Sequence, residues 1–508
     1  MTTDILSNIH KKNYNNALCI NNEFYTYRDL AIIAAKIQNE IKTNYPFERV
    51  FGVAFEDDIN TYASVIAIWS SGKAYCLLNP DGNREDNYEL IQKTGCSVIF
   101  NSSYILSKAL DFTDQYTIIN PNEIPATDTN LRIAFGSYNI FLFTQYKNGQ
   151  TSSELIQFRW EDVVNAIENI KKTNISLNSK GRVLSFFSFS HNLSVFSFLI
   201  SIKAGACFYS IPNKKNRAFI TFSMVEEYSI THAFTTPHAV KMLEPFFYDI
   251  PLSSLHYLIV TGDILPVKHA QNLQKCAPNA VLYNTSSSPF IFGITAAIEI
   301  DESSKLHSFN GLVSFGYPLN NIKYRTLSPD KSILNTGEIG ELYIQNTAVE
   351  YSTIYNNENN LLDDNSKNKI SEQNLDNHYL YKTGAVGYIN DDNAIIPVAN
   401  IYQKINMNGI LVDLSLLEKH AVESSNSKEV IAVTYNNFFG FDEIHLFIQN
   451  LSMDTSLIFQ HLRNNIPEYL LPQQIHNIDQ IPINEDCLVD YPELLRIIRG
   501  NSVAFFTK

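Results

Sequence analysis

The sequence predicts an α/β protein: a large N-terminal region of helix-covered, mainly parallel sheets plus a smaller β-rich part, followed by a small mobile α+β C-terminal domain. Three observations predict it. Short apolar runs bounded by Gly, Pro and Asn recur at helical separations through most of the chain, the mark of strands buried on both faces. Beyond about residue 310 the pattern changes to one of antiparallel strands. From about residue 404 a separate short strand–helix pattern begins. The expected division is 1–398 for the large region, 399–403 for a hinge and 404–508 for the small domain.

Taken in order, "RVFGVAF" (49–55) reads as a buried strand and "DINTYASVIAIWSSGKAYCLLNP" as a helix and a further strand. "CSVIFNS" (96–102) is a strand after a helical stretch. "FLFTQYKNGQTSSELIQF" (141–158) runs from an apolar segment into a polar loop with one glycine, ahead of a helix expected near Trp160. That is the outline of a phosphate-binding loop. "RVLSFFSF" (182–189), "ACFYSIP" (206–212), "THAFTTP" (231–237), "LHYLIVTG" (255–262) and "AVLYNTSS" (280–287) repeat the strand pattern. "GLVSFGYPLNNIKYRTL" and "GEIGELYIQN" read as antiparallel strands, and the Asn-rich stretch 356–377 as a flexible surface loop.

At 508 residues the chain exceeds a single core. A hydrophobic content of 45% with 18% charged residues is that of a soluble globular protein. The net charge of −14 argues against nucleic acid and anionic membrane as partners. The 6 cysteines are scattered without a CxxC pair or a nearby His partner, which points to reduced, core-filling thiols of a cytoplasmic protein and to no metal site. The N-terminal stretch lacks an apolar signal core, and no apolar run is long enough to span a bilayer.

The order and spacing of these segments resemble the adenylate-forming (ANL) superfamily, and within it nonribosomal peptide synthetase adenylation domains and D-alanine–carrier-protein ligases. The likeness rests on "YTYRDLAIIAAKIQNEI", "IWSSGKAYCLLNPDGNREDNYELIQKTGCSVIF", "GDILPVKHAQNLQKCAPNAVLYNT", "GYPLNN", "TGEIGELYI" and "YKTGAVGYIND", in the family's order and across nearly the whole chain. It implies the adenylation-domain fold, with ATP and Mg²⁺ as cofactors of an active member and carrier protein or synthetase domains as partners.

At the positions where the resemblance places chemistry, the residue types differ. The family's phosphate loop, TSGTTGxPKG, aligns with the stretch from Thr144 to Ser153. Only Thr144 and Gly149 match; Ser152 stands for the lysine, Ser153 for the last glycine and Tyr146 for another glycine. A tyrosine side chain is a steric obstacle where backbone must approach phosphate. Lys147 offers a substitute cation five residues from the expected place. The NxYGPTE motif aligns with "NTSSSPF" (284–290): Asn284 is kept, while Ser286, Pro289 and Phe290 replace the adenine-stacking tyrosine, the phosphate-contacting threonine and the metal-binding glutamate. Phe290 has no oxygen for a hard cation.

In "YKTGAVG" Thr383 is kept, and Ala385 stands for the ribose-binding aspartate. In "VANIYQKINMNGILVDL" Asn400 stands for the ribose-contacting arginine and Tyr402 for the hinge aspartate. Lys404 lies two residues before Asn406, the usual lysine position, as a second substitute cation or a solvated surface lysine. The tail motif PxxxNGKVDRxxL aligns with "PINEDCLVDYPEL" (482–494), putting Leu488 at the lysine that bridges carboxylate and α-phosphate. Asn192 in "SHNLSVFSF" stands for the aspartate that pairs with a substrate ammonium.

On this reading no catalytic position is intact: Ser152, Phe290, Ala385 and Leu488 are degenerate. Vestigial nucleotide contacts fall at Thr144, Gly149, Gly262, Asn284, Ser286, Thr383 and Asn400, and the former substrate pocket at Asn192, Thr261 and Ser287. No cofactor is expected. The expected role is non-catalytic binding or scaffolding in a carrier-protein-dependent assembly. An active ligase with a rearranged site, using ATP and Mg²⁺, and a small-ligand sensor are the alternatives.

Overall fold

The computed structural model describes residues 5–111, 115–127, 130–133, 140–147, 153–211, 217–247, 252–301, 308–309, 311–346, 380–400, 404–407, 410–427, 429–436, 442–484 and 488–505. The Asn-rich stretch 356–377 and Tyr402 lie outside them, as do Gly149, Ser152 and Cys487.

Two large sheets carry the N-terminal part. The six-stranded sheet runs Thr117–Ile119, Val98–Phe100, Val50–Ala54, Ala74–Leu78, Ile140–Lys147, Ser153–Arg159, all parallel except the last pair. In the nine-stranded sheet, the strands Val281–Ser288, Tyr257–Val260, His232–Thr235, Arg182–Ser185, Cys207–Tyr209 and Asn16–Ile20 form a parallel centre with antiparallel edges. Parallel neighbours need crossovers, which the intervening helices supply.

Two helices are apolar on every side and therefore buried on every side. All residues of Ile59–Ser70 are buried, as are Asn192 to Ile202 of the helix Asn192–Ala204. They meet through Tyr62 and Phe198, ring centroids 5.3 Å apart. Trp69 stacks on Phe141 of the six-stranded sheet at 4.2 Å. One apolar cluster therefore runs continuously from the first sheet to the second.

The change of pattern near residue 310 corresponds to a four-stranded antiparallel sheet, Ile322–Leu327, Gly340–Asn346, Leu380–Ile389 and Ile395–Asn400. The last part of the chain forms a hairpin, Lys404–Met407 with Ile410–Asp413. It also forms a three-stranded sheet flanked by the helices Ser415–Ser425, Thr455–Asn465 and Tyr491–Phe505.

One expected strand is shorter than its apolar run. "RVLSFFSF" is a strand only over Arg182–Ser185. Ser185 Oγ accepts a hydrogen bond from the Phe187 amide, and the His191 amide donates to the Ser188 carbonyl. These local bonds turn the chain into the following helix, and the remaining phenylalanines are core rings of other kinds: Phe186 packs on Phe222, Phe189 on Phe55, Tyr62 and Phe198, and Phe187 lies beside Gly262 and Leu488.

Gly316 joins the nine-stranded sheet to the four-stranded one: its carbonyl accepts from the Ile395 amide at 2.9 Å, beside the reciprocal bond from Phe315. Its φ is +84°, and a Cβ there would lie 2.2 Å from the Ala297 carbonyl oxygen. Backbone cannot yield as a side-chain tip can. Gly316→Ala is expected to cost about 2 kcal/mol or more, read as a lowered urea midpoint. An unchanged midpoint would mean this junction is not held as described.

Candidate active-site region

The parallel strands of the nine-stranded sheet end together, and the polar residues just past those ends meet there. Open α/β sheets present ligands at this edge. Thr261 Oγ1 donates to Ser287 Oγ at 3.3 Å, and the Thr261 amide donates to the Thr235 carbonyl at 2.9 Å. Thr285 Oγ1 donates to the Val260 carbonyl, and Asn284 Nδ2 to the carbonyl of Ser314 at 2.7 Å. Asn284 is fully buried, so its amide locks this strand end to the segment leading to Gly316. Ser286 lies against Tyr324, whose hydroxyl also meets Thr295 Oγ1 at 2.7 Å. Burial pushes the Tyr324 phenol up to about 12, against the hydrogen bonds from Ser286 and Thr295.

Pro289 and Phe290 form the turn between Val281–Ser288 and Ile291–Glu299. Asn192, first residue of its helix, sits under that turn. Its Nδ2 donates to the carbonyls of Ser288, Pro289 and Ile291 at 3.4, 3.5 and 3.4 Å. His191 caps the helix by accepting from the Leu193 amide, and Phe187 stacks on its ring at 4.8 Å. Asn192 thus uses its amide to hold the turn.

Phe290 points into the main core. It is 6% exposed and stacks on Tyr381, ring centroids 5.6 Å apart and planes 20° apart. Tyr381 lies near the start of the strand Leu380–Ile389, which also carries Thr383 and Ala385. Thr383 Oγ1 donates to the Leu342 carbonyl and accepts from the Ala385 amide. Ala385 is 6% exposed and pairs in register with Asn400 on the neighbouring strand.

The tail approaches from the other side. Its Asn484 and Leu488 bond to each other through backbone and side chain. A Cβ on Gly262 would lie 3.5 Å from a Leu488 methyl and 3.7 Å from Phe187, so Leu488 covers that glycine. Ile483 packs on a further apolar cluster that includes Phe186, Val260 and Leu265, and Lys241 Nζ meets Glu429 Oε2 at 2.9 Å. Next to that ion pair, burial holds the His238 imidazole down to about 4.

The structure therefore brings together Asn192, Ser287, Thr261, Phe290, Thr383 and Ala385, with Gly262 and Leu488 at the tail side. Thr144 lies in the strand Ile140–Lys147, paired with Ile156, and Lys147 pairs with Ser153 at the end of the same ladder. Lys404 begins the strand Lys404–Met407. Tyr381, Tyr324 and Phe187 were not singled out from the sequence. Tyr381 lies on the same strand as Thr383 and Ala385, but the left-handed Gly384 (φ +75°) breaks the alternation between them, so no local pattern pointed to it.

Two helix-covered sheets, an antiparallel sheet, and an α+β tail resting on the strand ends make up an adenylation-domain fold. Residues 156–350 match the family model described as AMP-binding enzyme. The chain is 21% identical to bacitracin synthase 1 of Bacillus licheniformis over 444 residues, 86% of this chain and 8% of that protein. It is 20% identical to the D-alanine–D-alanyl carrier protein ligase of Lactococcus lactis, covering 94% of this chain and 95% of that one. The crystal structure of the anthranilate CoA ligase AuaEII in complex with anthranoyl-AMP superposes with a TM-score of 0.78 at 15% identity, over 98% of this chain and 96% of that chain. Over residues 156–350 the chain is similar to AMP-binding enzymes, and its fold is that of adenylation-domain structures. It spans 8% and 18% of the length of bacitracin synthases 1 and 2, and nearly all of the stand-alone ligase.

Proposed function

We propose that this chain is a catalytically degenerate adenylation-domain homologue with a binding or scaffold role in a carrier-protein-dependent biosynthetic assembly of the cytoplasm. The observation that carries the reading is the Phe290–Tyr381 stack. At the position aligned with a metal-binding carboxylate, an apolar ring is buried against another ring. The residues present there do not fit Mg²⁺·ATP. Phe290 supplies no oxygen to a hard cation, Ala385 no acceptor to ribose hydroxyls, and Leu488 no cation to an α-phosphate. Carrier protein and synthetase domains are the partners this reading assigns, by analogy with the curated relatives. The division into 1–398, a hinge at 399–403 and 404–508 belongs to the same proposal, with Lys241–Glu429 and Leu488 over Gly262 as contacts across it.

Among the described residues no helix is long and apolar enough to cross a membrane.

Calorimetry with ATP·Mg²⁺ tests the reading directly. A dissociation constant no tighter than about 1 mM is expected, since ribose, metal and phosphate contacts are missing together. Micromolar binding would overturn it.

A further inference from the structure

We propose that His420, Glu423 and His461 form a three-ligand site for a divalent transition-metal ion of the zinc class, clipping the helix Ser415–Ser425 to the helix Thr455–Asn465. His420 and Glu423 are three residues apart on the first helix, so both project from one face. Leu417 and Ala421 of that helix are buried in one cluster with Ile458 and Leu462 of the second. His461 immediately precedes Leu462, which places it at the rim of the same seam. The His420 and His461 rings are 5.9 Å apart. One donor atom from each of the three residues lies within 4.8 Å of the other two.

The second observation is an unsatisfied donor set. His461 Nε2 is buried without a hydrogen-bond partner. His420 Nδ1 is also buried and lies 3.1 Å from Glu423 Oε2, but not aligned as a hydrogen bond. A buried polar atom left unpaired costs free energy, and a bound ion is one of its few explanations. Another imidazole cluster in the same part of the chain lacks this feature: His445 Nδ1 meets His476 Nε2 at 2.8 Å and His445 Nε2 meets Glu443 at 3.2 Å, so those rings satisfy one another.

Two imidazoles and one carboxylate suit a borderline ion, not Ca²⁺ or Mg²⁺, which take oxygen. Bonds of about 2.0–2.2 Å in a tetrahedron put donor atoms about 3.3 Å apart. The contraction from 4.8 Å is within reach of ring rotation and of the Glu423 side chain, which is 49% exposed and free to follow. The fourth position opens towards solvent on the Glu423 side and takes water.

The test titrates Zn²⁺ into the chelator-stripped full chain by calorimetry, with Co²⁺ absorption as the geometric readout. One ion per chain with a dissociation constant of about 1 µM or tighter is expected, with the intense visible bands of four-coordinate Co²⁺. His461→Ala and His420→Gln should each weaken binding by about tenfold or more, as each deletes one ligand of three. Glu423→Gln, at a half-exposed position that leaves the packing untouched, should weaken binding and change the Co²⁺ spectrum. Binding weaker than about 1 mM in the wild type, or affinity unchanged in all three variants, would overturn the site.

Discussion

Phe290→Glu is expected to lower the stability of the chain by about 4 kcal/mol or more. Truncating a buried phenylalanine costs about 3–5 kcal/mol by itself. The aromatic pair with Tyr381 adds about 0.5–1.5 kcal/mol beyond buried area. A carboxylate left in its place would face the Tyr381 ring inside the main apolar cluster. Phe290→Leu keeps most of the apolar contact and should cost less than half as much. Urea midpoints of the main unfolding transition separate the two. The outcome that counts against us is specific: a loss under about 1 kcal/mol with Phe290→Glu, together with a higher midpoint in Mg²⁺. That would mean the turn can host an ion as readily as a ring, and the rearranged-ligase reading would gain.

How much of this was legible in the sequence depends on the range over which the deciding contacts act. Strand identity depends on local apolar runs and helix identity on local periodicity. The helix beginning at Trp160, the helix-covered parallel strands and the antiparallel strands after 310 were therefore readable. The strand at 182 was over-extended because its phenylalanines stay buried in the apolar clusters after the strand ends, and only the Ser185 and Ser188 bonds mark the turn. At the site, the missing charges were visible because each is a single residue type at an aligned position. What fills the vacated volume was not. Phe290 meets Tyr381, and Leu488 meets Gly262, across separations that no local pattern encodes. Asn192 is read as a weakened substrate contact; that its Nδ2 also faces three carbonyls of the Pro289 turn was not legible.

That role for Asn192 shapes the largest expected effect, which is on turnover. ATP–pyrophosphate exchange by the wild type, across a broad panel of acids, should lie about 10⁴-fold or more below an intact member of the superfamily. Each preorganised electrostatic group removed typically costs about 10²–10³ in rate, and the losses are not additive within one unit. Leu488→Lys alone should restore nothing measurable, because it places one ammonium over Gly262 with no phosphate, ribose or metal contact beside it. Combining Ser152→Lys, Phe290→Glu, Ala385→Asp and Leu488→Lys should raise ATP affinity before turnover, at a cost in stability set mainly by the loss of the Phe290 ring. Adding Asn192→Asp, which an amino-acid substrate would require, removes the donor that now faces three carbonyl oxygens and puts a carboxylate against them. The five-fold variant should therefore be less stable than the four-fold one, and the Pro289 turn looser. Should the wild type adenylate an acid, and Lys147→Ala or Lys404→Ala abolish it, the chemistry has moved to a substitute cation and the degenerate reading fails.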